Sequence, residues 1–147
     1  MNIEQYQLKS GLELLSYEFI SEGPKGLIPK RIQFTLVNRQ GVYNLAFGDK
    51  DQLTGDINDL AVTNNGDTEK VLATIVAALY VFFDNYPTAY VYATGSTKAR
   101  TRLYRMGITK FYEEMQKDFY LYGQVEDDYK DFEMGQEYDG FLAQQKF

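Results

Sequence analysis

Tyr92-Ala-Thr-Gly-Ser-Thr-Lys-Ala-Arg-Thr-Arg-Leu-Tyr-Arg105 passes from the end of a strand, through a glycine turn, into a strongly basic first turn of helix. From Ala89 to Lys110 there are five basic residues and no acidic one, in a chain of net charge -6. Unpaired backbone N–H groups and the helix dipole converge at such a junction and favour an anion. Ser96, Thr97 and Arg100 are nearest the helix start and form the candidate small-anion site. Helical spacing places Ala99, Leu103 and Met106 on one stripe, expected to face the core. Lys98, Arg102 and Arg105 share a second stripe, and Arg100 and Tyr104 a third. The cations therefore diverge, and Lys98, Arg102 and Arg105 suit an extended polyanion or an acidic protein surface. Tyr104, Asp49 and Asp67 are accessory candidates. The segment lacks the glycine-rich loop and terminal Lys-Ser/Thr of a P-loop, and there is no G-x-G-x-x-G. A second reading stays open: Gly-Ser-Thr is only a turn and an N-cap, and Arg102 and Arg105 pair with Asp127, Asp128 or Asp131 to pin the tail.

Working outward, Ala89 to Ala93 reads as a short central strand, because another helix follows it directly. That helix runs from about Thr97 to Met115, with a bend expected at Gly107. Upstream, Val71, Leu72, Ile75, Val76, Leu79 and Phe82 keep helical spacing after a cap at Asp67 or Thr68, and the helix stops before Pro87. Before it, Leu14–Ile20, Arg31–Val37 and Val42–Phe47 alternate as strands, separated by turns at Ser21–Gly26 and Asn38–Gly41. Phe119–Tyr122 reads as a later strand. The order is β-β-β-α-β-α-β, an α+β two-layer sandwich in which an antiparallel meander is extended by α-linked strands. Both helices cover one sheet face, and the other is open to solvent, a dimer or a partner. The chain reads as one domain over residues 1–147; in the acidic, aromatic extension 124–147, either Tyr129, Phe132, Tyr138, Phe141 and Phe147 pack a final strand or short helix, or the segment is loosely packed.

Composition narrows the chemistry. No Cys and no His are present, which removes disulfides, zinc-thiolate sites, cysteine nucleophiles and histidine-based acid–base catalysis. The acids after Gly48, among them Asp49, Asp51 and Asp56, lack the spacing of a calcium loop, so no metal is assigned. No cofactor motif is visible. Charge is uneven: residues 1–88 carry 7 basic and 11 acidic side chains, net -4; residues 111–147 carry 3 and 10, net -7. One short basic patch in such a chain argues against an extended nucleic-acid duplex. With no leader or membrane span, the expectation is a cytoplasmic protein.

Tyr17-Glu-Phe-Ile-Ser-Glu-Gly-Pro-Lys-Gly-Leu-Ile-Pro-Lys30, Tyr43-Asn-Leu-Ala-Phe-Gly-Asp49, Asn65-Gly-Asp-Thr-Glu-Lys-Val-Leu-Ala-Thr74 and Gly95-Ser-Thr-Lys-Ala-Arg-Thr-Arg-Leu-Tyr-Arg105 resemble an uncharacterised family of small Bacteroidetes proteins. The resemblance covers about residues 15–110. It implies a bacterial intracellular protein and carries no biochemical function and no catalytic residue. The functional expectation is a non-catalytic module that binds an anion, a nucleotide or nucleic acid through Gly95–Arg105, its ligand bearing phosphate. The alternatives are a protein-interaction or small regulatory protein, acting as a homodimer or as one member of a gene pair, and a metal-assisted phosphoesterase using Asp67, Glu69 or the Asp49, Asp51 and Asp56 loop beside Arg100.

Overall fold

The computed structural model describes residues 4–58, 63–95 and 97–146. Its strands form one sheet with helices packed on one face, the α+β sandwich that the periodicity implies. The short β1 (Lys9–Ser10) precedes β2 (Ser16–Gly23), β3 (Gly26–Leu36) and β4 (Val42–Lys50), an antiparallel meander. The β2–β3 strands run on further than the alternation suggests. Gly23 opposes Gly26, so the turn is only Pro24-Lys25, with Gly26 supplying the positive φ of +90°. A two-residue β5 (Ile57–Asn58) pairs with β4.

Helix α1 (Thr68–Asn85) carries the chain over the sheet to β6 (Tyr90–Ala93), which pairs parallel to β4. Val71, Leu72, Ile75, Val76 and Leu79 are buried, together with Ala73, Thr74 and Ala78. Phe82 stacks on Phe34 with ring centroids 4.2 Å apart, which fixes the helix over the meander. Asp67 stands at the N-cap position but makes no cap bond; its carboxylate is used elsewhere.

The second helical segment divides into α2 (Lys98–Lys110) and α3 (Tyr112–Asp118). The break falls at Phe111 and not at Gly107. Gly107 is instead a buried packing residue that faces Leu72 of α1. The inward face of α2 is also rotated relative to the expected stripe. Arg100, Tyr104 and Gly107 are its buried residues, whereas Ala99 is exposed and Met106 is 42% exposed. Between α1, α2 and the sheet lies an apolar cavity of about 60 Å³, whose lining includes Leu72, Ile75, Leu103, Gly107 and Phe141.

A hairpin of β7 (Phe119–Val125) and β8 (Asp128–Asp131) is followed by β9 (Gly140–Gln145), which inserts between β6 and β7, antiparallel to both. The sheet order is β1-β2-β3-β4-β6-β9-β7-β8. Phe132, Tyr138, Phe141 and Ala143 are buried, so the C-terminal segment contributes both strands to the sheet and side chains to the core. A strand bonded on both sides gains its partners only from the fold, which is why its own sequence gives little sign of it. Among the described residues no helix is long and apolar enough to cross a membrane.

Candidate functional site

Two polar clusters sit near the N-terminal ends of α1 and α2. In the first, Lys30 lies on the inward side of β3 with Ile32 and Phe34 and is 1% exposed. Its ammonium donates to Asp49 Oδ1 at 2.5 Å and to the Thr63 carbonyl at 2.8 Å. Asp49 also accepts from the Thr63 hydroxyl and backbone N–H. Burial alone would raise the Asp49 pKa, but the bonds from Lys30 and Thr63 outweigh it and hold the carboxyl below its ordinary 3.8. Asp67 Oδ2 accepts from the Tyr6 hydroxyl at 2.6 Å and the Ser21 hydroxyl at 2.5 Å. Asn65 completes the set, donating to the Gly26 carbonyl and accepting from the Lys25 N–H. Charges and amides here partner one another, binding β2, β3 and β4 to the start of α1. Asp49 and Asp67 are thus occupied by the fold, and neither lines the groove at α2. Among the described residues no group of three acidic side chains is arranged to hold a metal ion.

The second cluster is a groove of about 820 Å³ where β6 turns into α2. Gly95 makes the turn possible: a Cβ there would stand 2.5 Å from both Arg100 Cβ and Thr101 N. Thr97 caps α2, its hydroxyl accepting from the Arg100 N–H at 3.2 Å. The Gly95 N–H donates to the Thr101 hydroxyl at 2.9 Å, locking the turn on the helix. Lys98, Arg102 and Arg105 project from α2 into the groove, beside Thr94, Thr97 and Thr101. Glu137, Tyr138 and Asp139 from the segment before β9, with Val125, complete the lining.

Partner accounting separates the basic residues. Among the described residues, the side chains of Lys98 and Arg102 form no ion pair or hydrogen bond. Arg105 donates to the Gln136 carbonyl at 3.3 Å and pairs with no carboxylate. Pairing of Arg102 or Arg105 with Asp127, Asp128 or Asp131 is thus not found. Asp139 has its own duties: its carboxylate accepts from the Glu126 N–H, and its carbonyl from the Thr94 hydroxyl. Arg100 behaves differently from the other three. It is 8% exposed, packed under Gly95, and absent from the groove lining. Tyr104 is buried beside it. Burial pushes the Tyr104 hydroxyl up to about 12, partly offset by the Arg100 charge and the Phe47 backbone. That hydroxyl has no well-aligned hydrogen-bond partner among the described residues. Ser96 lies outside the described residues.

Thr94, Thr101, Glu137 and Asp139 escaped the sequence reading. Thr94 precedes the basic run and Thr101 lies within it, one helical turn after Thr97, a spacing that carried a signal. Glu137 and Asp139 arrive only through the placement of β9.

The chain belongs to a family of unknown function, DUF6934, whose model matches residues 2–146. Neither the curated proteins nor the solved structures contain a significant match to it.

Proposed function

We propose that the chain is a non-catalytic binding module for a phosphate-bearing ligand, held in the groove at the start of α2. The observation that carries this reading is the row of cations, Lys98, Arg102 and Arg105, which line an open groove without a carboxylate partner among the described residues. Three like charges side by side repel one another, and an anion relieves that repulsion. Thr97 and the first turn of α2 add the favourable end of the helix dipole. Arg100 serves the fold in this arrangement, and the ligand meets Lys98, Arg102 and Arg105. The Asp49 loop does not supply phosphoesterase chemistry, because Asp49 is committed to Lys30 and Thr63.

Calorimetric titration with ATP and with inorganic pyrophosphate tests the reading. Binding should weaken as salt rises, and Lys98→Ala/Arg102→Ala/Arg105→Ala should lower affinity at least tenfold, about 1.4 kcal/mol. Equal affinity in the triple variant sinks the proposal.

A further inference from the structure

The sheet face turned away from the helices carries a cluster of tyrosines. Val91 and Leu121 pack towards the helix side, so strand alternation turns Tyr90, Tyr92, Tyr120 and Tyr122 the other way. The register then assembles them. Tyr92 lies beside Leu142, and Leu142 beside Tyr122; Tyr90 lies beside Gln144, and Gln144 beside Tyr120. Tyr129 of β8 joins them opposite Gln124, its ring edge-on to Tyr92 at 6.5 Å. Tyr120 is 49% and Tyr129 46% exposed, and the Lys146 ammonium lies over the Tyr120 ring, 5.2 Å from its centroid.

This face and the basic groove share an edge of the sheet. Ala93, Phe141 and Gly123 are register partners there. Thr94 and Val125 line the groove, while Tyr92 and Gln124 stand just behind that edge on the open face. A row of cations leading onto exposed aromatic rings is the combination that holds single-stranded nucleic acid: the groove tracks phosphates and the rings stack bases. Lys98 to Arg105 spans about 10 Å of helix, more than one diphosphate needs and suited to successive backbone phosphates. Paired bases cannot offer their faces to such a surface, which excludes a duplex. A second copy docked here would bring the same unpaired cations to the same edge.

We infer that the ligand is a single strand of nucleic acid, its phosphates along Lys98, Arg102 and Arg105 and its bases stacked on the Tyr92–Tyr129 face. The inference rests on the phosphate-binding reading of the groove and names its ligand class. Fluorescence anisotropy with a short labelled oligothymidylate, compared with ATP and with a duplex of equal length, tests it on the full chain. The single strand should bind more tightly than ATP or the duplex. Its log affinity should fall with log salt with a slope near about -2, from three cations at about -0.7 each. Tyr129→Ala should weaken the oligonucleotide about 5- to 100-fold and leave ATP unchanged, while Tyr129→Phe retains binding. Tyr120→Ala provides a second exposed site, with circular dichroism verifying the fold of each variant. An oligonucleotide affinity no better than that of ATP, or indifferent to both alanine substitutions, overturns the inference. If ATP binding still depends on Lys98, Arg102 and Arg105, the groove reading survives that failure; if it does not, both fall. A dimer in sedimentation that Tyr129→Ala dissociates, with no oligonucleotide bound, also overturns it in favour of a second copy.

Discussion

The clusters at the starts of α1 and α2 are both rich in charge, yet their accounts close differently. Lys30, Asp49, Asp67, Ser21 and Asn65 satisfy one another and hold the meander to α1. Lys98 and Arg102 reach into a groove and, among the described residues, satisfy nothing. Buried charge that is fully partnered is architecture; charge left unpartnered at a concave surface is available for a ligand. Counting charges along the chain does not make that distinction, since the buried Lys30 and the groove-lining Lys98 look alike until their neighbours are known.

The comparison can be broken most forcefully at Lys30. Lys30→Ala leaves Asp49 half-buried without its cation and should cost about 3–5 kcal/mol. That is about 10 °C in thermal midpoint for a chain of this size. ATP affinity in the folded fraction should be unchanged. A variant that melts within a degree or two of the parent would show that the first cluster is not structural glue.

Acid should act on the same cluster to a lesser degree. The folded Asp49 pKa lies below its ordinary 3.8, so its stabilisation is fully present above that value. The contribution is lost as pH falls through the folded value. Unfolding midpoints in denaturant should decline below about pH 4, and the Asp49 part of that decline should vanish in Asp49→Asn. An identical acid profile in that variant would remove the assignment.

The smallest effect on folding belongs to the groove. Arg102→Ala removes an unpaired surface cation and should alter stability by no more than about 0.5 kcal/mol, read from chemical denaturation. A loss of about 2 kcal/mol would place Arg102 with Lys30 as a structural residue.

Much of the scaffold was legible in the chain. Alternation marked β2, β3 and β4, and helical spacing marked α1, because each pattern repeats within a few residues. Lys30 could have been found too: it keeps the parity of Ile32 and Phe34, which implies an inward-facing ammonium in need of a carboxylate. Arg100 was harder. Its polarity argued for solvent, but α2 buries Arg100, Tyr104 and Gly107 together, an orientation set by its packing partners and not by its own pattern. β9 was harder still, since Gly140-Phe-Leu-Ala-Gln-Gln145 is short and pairs with residues 16 to 54 positions away.

The sequence by itself determined the α+β class, the absence of cysteine and histidine chemistry, and the placing of a basic run directly after a strand and a glycine turn. These are local properties, set by composition and by repeats of two and 3.6 residues. Only the tertiary structure decided which cations are spent and which are free, and that the C-terminal strand enters the middle of the sheet. It also brought five tyrosines to one face beside the groove. Each of those depends on which distant segments meet, and pairing across the fold is information that no short stretch of chain contains.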